Sequence, residues 1–336
     1  MKTNEIIIQL PLEILRKIYV KLFGPSLSKD GHIPEIRVTE KWIYSKEQEE
    51  IKAWINSDRP CFLGRMGSIE LDCYNNYQQI LLASQGKALG GGEYKLANYL
   101  RDKSYAPWVS IGTKNGMTCN AGFFPATNEN IMRYGKLIDE CMDKVDVLLH
   151  WWEYEKFLKI YDSVPKILMK YVSYPFYYTN PWTSCLQGKK VLVISPFSET
   201  IKKQYSIRKK LFKDVNILPE FELITLQSYN VLRGKNNTDA KDWFDALEKM
   251  ENRINQIDFD IALIGCGAYA FPLGAYCKNL GKKAITICGG IQLLFGIYGK
   301  RWENSLKRDG IINEYWTRPL DEKPFGYEKV EGGAYW

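Results

Sequence analysis

Six consecutive residues, Arg65-Met66-Gly67-Ser68-Ile69-Glu70, bring a guanidinium, a glycine and a carboxylate into one short loop. An arginine there can grip a diphosphate with both arms of its fork. Glycine lets the backbone approach a ligand, and a helix opening just after it would favour negative charge. Glu70 has two uses in such a site, as a ligand to a divalent metal or as a base. The same residues also suit plain helix capping, with Ser68 as N-cap and Glu70 or Asp72 favoured by the helix dipole. The two uses are compatible.

Other clusters repeat this mixture of glycine, small hydroxyl and charge. Ser195-Pro-Phe-Ser198-Glu199-Thr200 suits phosphate or sugar hydroxyls, although an N-cap explains Ser198 equally well. Gly265-Cys-Gly267 with Ala270 fits a loose dinucleotide fingerprint, but Pro272 falls early in the next helix and no ribose-binding acid follows the next strand. It is a weak signal for NAD, and it reads either as a backbone cradle for phosphate running to Tyr269 or as a tight turn. The block from Gly289 to Trp302 is dense in glycine, beginning Gly289-Gly290 and ending Lys300-Arg301-Trp302. It reads as a loop folding over a nucleotide, with Gln292 and Arg301 reaching the ligand. Asn120-Ala-Gly-Phe-Phe124 and His150-Trp-Trp-Glu153 offer polar and aromatic groups that suit a sugar, though each alone suits structure better. With two histidines no nucleophile-histidine-acid set emerges. For a transfer in which a hydroxyl must lose a proton and a leaving diphosphate must be neutralised, Glu70, Glu153 and Glu199 are the candidate bases, and Arg65, Lys300 and Arg301 the neutralising groups.

Positioning these residues requires strands that stop where the clusters begin. Cys61–Leu63 is a short apolar strand running into Gly64, and helical periodicity resumes over Ser68–Leu82. Val145–Leu149 leads to His150, Val191–Ile194 to Ser195, Asp260–Ile264 to Gly265, and Ala284–Ile287 to Gly289. Further strands are expected at Trp108–Ile111 and Phe221–Leu226. Helices are expected at Ser45–Asn56, Glu93–Arg101, 128–144, Glu199–Phe212, Asp239–Gln256 and Ala268–Leu280. Alternation of strand and helix with short connections predicts an α/β fold: an open, mostly parallel sheet with helices on both faces. Ligands of such sheets bind at the carboxyl ends of the strands, which selects four regions: Gly64–Glu70, His150–Glu153, Ser195–Thr200, and Gly265–Tyr269 together with Gly289–Gln292.

Ahead of this body, residues 11–23 place Leu12, Leu15, Ile18, Tyr19, Leu22 and Phe23 at helical spacing, with Pro11 in the first turn. This amphipathic, basic helix either packs on the body or lies on an anionic membrane surface. Gly24-Pro25 stops it, and a polar linker covers Ser26–His32. Residues 1–44 thus form an extension and 45–336 one domain, with 45–185 and 186–336 as candidate halves.

Composition narrows the class. The chain has 336 residues, 45% of them hydrophobic, enough for a large core, and no apolar run approaches the roughly 20 residues of a membrane span. No secretory signal is evident, so a cytoplasmic place is expected, if peripheral then at the inner face of the membrane. The eight cysteines are scattered without a Cys-x-x-Cys, which argues for reduced thiols over disulfides or zinc. A net charge of +7 is spread out and no nucleic-acid module is visible, so nucleic acid is not an expected partner. Twenty-two Tyr and ten Trp suit either stacking on sugars and bases or core packing.

The segment Arg65–Glu70, between a strand and a helix, resembles the Arg-Phe-Gly-Asp-Gly-Glu signature of glycosyltransferases with the GT-D fold. The resemblance continues through Glu93–Leu100, Lys190–Ile194 and Asp260–Gly290, covering about residues 59–300. It implies a single Rossmann-like domain that moves a sugar from a nucleotide donor, often UDP-linked, to a glycan acceptor, lipid-linked acceptors included, in surface-glycan or glycoprotein assembly. The donor site expected from these clusters and the resemblance together comprises Arg65, Gly67, Ser68, Ser195, Gly265, Gly267, Tyr269, Gly289, Gly290, Gln292 and Arg301. The family's Asp-x-Glu pair, linked there to a divalent metal such as Mg or Mn, falls here on Ser68 and Glu70, which leaves metal use open with Glu70 the one candidate ligand. The lost aspartate also suits a non-catalytic glycan-binding or assembly protein on the same fold; an NAD-linked oxidoreductase is a third alternative.

Overall fold

Seven short apolar runs become the strands of one sheet: β1 (Phe62–Gly64), β2 (Val147–His150), β3 (Lys166–Leu168), β4 (Lys190–Ser195), β5 (Glu222–Gln227), β6 (Ile261–Ile264) and β7 (Lys283–Thr286). The computed structural model describes residues 3–23, 43–101, 105–229, 239–319, 323 and 326–336. The strands lie in the order β3-β2-β1-β7-β6-β4-β5, and every adjacent pair is parallel. A parallel pair needs a crossover between its strands, so each connection must return across a face of the sheet and cover it. The chain alternates accordingly, with helices α1 (Thr3–Phe23), α2 (Lys46–Asn56), α3 (Ser68–Ala83), α4 (Leu96–Arg101), α5 (Ile111–Asn120), α6 (Asn128–Met142), α7 (Lys170–Ser173), α8 (Ser198–Ser206), α9 (Trp243–Ile254), α10 (Ala270–Asn279), α11 (Gly290–Leu294) and α12 (Lys300–Arg308).

Period-two alternation along the strands divides the interior into two cores. Phe62, Leu148, Leu192, Ile194, Ala262 and Ile264 face one side, where α3, α5, α6, α9 and α10 supply Leu71, Met117, Ile138, Trp243 and Leu273. Leu63, Val147, Val191, Val193, Ile261, Leu263 and Ile285 face the other, meeting Ile51 and Ile55 of α2, Ile201 of α8 and Leu293 of α11. All of these strand residues are buried, which is why the strands read as near-continuous apolar runs. The result is an open, Rossmann-like α/β sheet of three layers. Its two chain halves meet inside the sheet, where Phe62 and Leu63 of β1 are in register with Ala284 and Ile285 of β7.

Several elements depart from expectation. Residues 108–111 form no strand; Ser110 caps α5, its hydroxyl accepting from the Thr113 amide at 2.9 Å. The buried Asn76 side chain holds that loop instead, donating to the carbonyls of Ala106 and Trp108 at 2.9 and 3.1 Å. Helix α4 starts at Leu96, because Glu93 is engaged in an isolated bridge to Lys87. The edge strand β3 and the helices α11 and α12 lie where no element was expected, so 289–302 is largely helical and not a loop. Helix α1 begins at Thr3 and carries Pro11 in its interior. It rests against α4, and Glu13 accepts from the Ile111 amide at 3.2 Å, while Leu10, Ile14, Leu15, Ile18 and Leu22 stay exposed. No helix among the described residues is long and apolar enough to cross a membrane. The stop at Gly24-Pro25, the linker 26–32 and His32 lie outside the described residues.

Candidate functional site

The carboxyl ends of the strands open into a cleft of two adjoining chambers. The larger, about 350 Å³, collects Arg65 and Gly67–Glu70 after β1, Phe197 after β4, Ser228 after β5, Gly265–Gly267 after β6 and Gly289, Ile291 and Gln292 after β7, while Gly290 lines the smaller chamber. The smaller, about 130 Å³, lies toward β2 and β3 and takes in His150, Met169, Ser173 and Tyr174. Arg65, Trp151, Cys288, Gly289, Arg301 and Tyr335 border both chambers.

The loop after β1 is fixed before any ligand arrives. The Arg65 amide donates to Thr286 Oγ1 at 2.6 Å, tying β1 to the end of β7. The Trp151 indole donates to the Met66 carbonyl at 3.0 Å and lies under the guanidinium of Arg65, whose carbon sits 4.2 Å from the ring centroid. Stacking of that kind orients the fork without using its donors. Nε of Arg65 is buried and has no hydrogen-bond partner.

Helix α3 opens with Gly67 as N-cap and Ser68 as its first residue, one position earlier than the expected cap at Ser68. Ser68 borders the larger chamber. Glu70 folds back over the helix start, so that a Cβ on residue 67 would sit 2.2 Å from Glu70 Oε2. The glycine is thus needed for the carboxylate. Glu70 is 8% exposed, and burial pushes its carboxyl above the ordinary value, opposed by its own backbone amide and by Arg65. A carboxyl displaced in this direction beside a guanidinium, in a cleft, is a natural proton acceptor or donor.

Across the chamber, Gly267 has φ +59° and a Cβ there would approach the Ala121 carbonyl at 2.9 Å. Gly265, Gly289 and Gly290 are likewise packed against neighbouring atoms, so part of the glycine content serves the crossing of strand ends. Cys288 takes a left-handed backbone at φ +50°, rare for a residue with a side chain. Gln292 is 1% exposed; its amide donates to the Tyr335 carbonyl at 3.0 Å, while its Oε1 is buried without a partner. Ser228 Oγ is buried and unpartnered as well. Buried polar atoms are normally satisfied, so three orphans around one chamber mark it as built for a polar ligand.

Other expected site residues fall elsewhere. Tyr269 is 1% exposed and stacked on Trp243 at 4.9 Å, within the core. Ser195 is fully buried, its hydroxyl accepting from the Phe197 amide at 3.2 Å to turn the chain. Glu153 and Glu199 are exposed and pair on their own short helices with Lys156 and Lys202, each at 2.8 Å, and neither borders a chamber. Lys300 is exposed outside the cleft, its amide donating to the Trp336 carbonyl. Arg301 does reach both chambers, paired with Glu331 at 3.4 Å.

The sequence reading missed two contributions. Residues 330–336 return over the larger chamber, with Val330, Glu331, Tyr335 and Trp336 in its wall. Gly299 is the signal, since a Cβ there would sit 2.4 Å from the Ala334 carbonyl. The second is Glu155, two residues beyond Glu153: it is 1% exposed and its Oε2 meets His150 Nδ1 and the amides of Trp151 and Trp152 at 3.1 and 3.3 Å.

Among the described residues, no group of three or more His, Cys, Asp and Glu is placed to hold a metal ion. Glu70 has Ser68 where a second carboxylate would be needed, and a lone carboxylate is a poor set for Mg or Mn. The described residues of the cleft offer no fuller set of metal ligands around this one carboxylate.

Fold and site together define an open α/β protein with a two-chambered, arginine-walled cleft at the carboxyl edge of its sheet. Comparison with family models, curated proteins and solved structures finds no match to this chain.

Proposed function

We propose that the protein is a glycosyltransferase that moves a sugar from a nucleotide-sugar donor, UDP-linked donors being favoured, to a glycan acceptor in surface-polysaccharide or glycoprotein assembly. The observation that carries this reading is the pairing, at one strand-end cleft, of guanidiniums that border both chambers with a buried carboxyl and unpartnered polar atoms. A cavity of about 350 Å³ is within the range of small-molecule sites. Arg65, presented by Trp151, and Arg301 would neutralise the leaving diphosphate, where charge develops as the sugar departs. Gln292 Oε1 and Ser228 Oγ offer acceptors to a base or ribose. Glu70, whose carboxyl burial displaces upward from its ordinary value, borders the larger chamber, where it can hydrogen-bond donor oxygens. The resemblance of Arg65–Glu70 to the GT-D signature supports the same assignment.

Thermal unfolding with UDP, GDP and CMP sugars tests it. One donor class should raise Tm by several degrees at saturating concentration, and Arg65→Ala should abolish the rise. Indifference of the wild type to every donor would sink the enzyme reading in favour of a non-catalytic assembly protein, and stabilisation by NAD alone would favour an oxidoreductase.

We also infer peripheral contact with an anionic membrane, as a lipid-linked acceptor would require. The support is α1, whose exposed row Leu10, Ile14, Leu15, Ile18 and Leu22 is interleaved with exposed Lys17 and Lys21. Co-sedimentation with phosphatidylserine vesicles should be lost when residues 1–24 are deleted, and equal sedimentation of the truncated chain would discard the contact.

A further inference from the structure

The strand β2 delivers His150 to the wall of the smaller chamber, and the short helical turn Glu153–Phe157 folds Glu155 back beneath it. Glu155 Oε2 is already the acceptor for the amides of Trp151 and Trp152, which cannot accept in return. With two amides already donating to it, that oxygen is placed as an acceptor, and the proton it shares with His150 is assigned to Nδ1. The opposite nitrogen, Nε2, then carries the lone pair. It has no hydrogen-bond partner among the described residues. The ring is held further by Tyr161, edge-on at 5.6 Å. A carboxylate that fixes an imidazole tautomer and leaves Nε2 free is the arrangement by which histidine accepts a proton from a hydroxyl.

The same chamber is walled by the rings of Trp151, Tyr174 and Trp302, with Ser173 among them. Aromatic faces with a few hydroxyls suit the apolar faces and polar edges of a sugar. It adjoins the larger chamber across Arg65 and Arg301.

We propose that the smaller chamber seats the acceptor sugar and that His150 is the catalytic base for its hydroxyl, with Glu155 as the positioning residue. This rests on the glycosyl-transfer reading of the larger chamber. The acceptor hydroxyl gives its proton to Nε2, and its oxygen forms a bond to the anomeric carbon of the donor. The bond between that carbon and the phosphate oxygen breaks, its electron pair leaving with the nucleoside diphosphate toward Arg65 and Arg301. The imidazolium so formed stands against the Glu155 carboxylate. Glu153 and Glu199 take no part.

The chain contains two histidines, so nitrogen NMR of histidine-labelled full-length protein gives two ring systems, assigned by His32→Gln. His150 should show the tautomer protonated at Nδ1, and its resonances alone should move when the methyl glycosides of glucose, galactose and mannose are added without nucleotide. Glu155→Gln should lose the tautomer signature. With the nucleotide sugar that stabilises the protein, His150→Gln should slow nucleoside-diphosphate release about 10²- to 10⁴-fold in kcat with little change in donor KM. A His150 protonated at Nε2, a His150 unmoved by every glycoside in a protein that a donor does stabilise, or a His150→Gln variant that transfers at the wild-type rate would each overturn the assignment while leaving the donor site intact. Absence of stabilisation by any nucleotide sugar would instead remove the glycosyl-transfer reading itself.

Discussion

At the scale of single residues, the cleft is organised by side chains that are held, not merely present. Arg65 is carried on an indole and Glu70 is folded over the start of its own helix, in space that Gly67 leaves open. Burial displaces the Glu70 carboxyl upward from its ordinary value, so the folded protein binds this proton more tightly than the unfolded chain. Between the unfolded and folded values the native state carries more protons, and its stability falls as pH rises through that window. Glu70→Gln has no charge to bury. Its Tm relative to wild type should therefore climb as pH is raised upward from the ordinary carboxylate range. A pH-independent difference between the two proteins, measured by thermal unfolding across that range, would show that burial is not what governs this carboxyl.

At the scale of elements, close approach of helix to sheet places the strand ends where the loops can converge. Helix α10 lies on β1 and β7, and Gly274 is the contact that permits it. A Cβ at that position would meet the Phe62 ring at 2.2 Å, and Phe62 is fully buried against Phe271. Glycine to alanine in a helix interior ordinarily stabilises by up to about 1 kcal/mol. Gly274→Ala should instead destabilise by roughly 1–3 kcal/mol, because the packed ring must move. Denaturant unfolding measures the difference, and a gain in stability would mean that α10 is free to shift outward. Sequence legibility varied among elements for physical reasons. Long amphipathic helices such as α9, with Trp243, Leu247, Met250 and Ile254 on one buried face, declare themselves by period. The three residues of β3 are too few for a period to show. Residues 108–111 looked like a strand because Trp, Val and Ile favour one, yet the buried Asn76 amide binds the backbone there and Ser110 turns it into a helix.

At the scale of the whole molecule, the sheet couples the two halves of the chain. β1 pairs with β7, and each core draws residues from both sides of position 185. Separating 45–185 from 186–336 would expose β1 and β7 as additional strand edges. Unfolding followed by circular dichroism and by tryptophan fluorescence should therefore give one coincident transition, and the two segments expressed separately should not show native spectra. Two resolved transitions, or a natively folded half, would establish separate domains.

The sequence by itself determined the α/β class, the strand-end location of the glycine-bearing loops, and the prominence of Arg65 and Glu70, because periodicity and turn chemistry are local properties. It also named Gln292 and Arg301, which do reach the cleft. Which of three further acids packs against a cleft residue was decided only by tertiary structure: Glu153, Glu155 and Glu199 are alike on paper, but one helical turn buries Glu155 under His150 and leaves the other two paired with lysines in solvent. The return of residues 330–336 over the larger chamber is the same kind of fact. Contacts between residues far apart in the chain depend on how whole elements pack, and no local spacing records them.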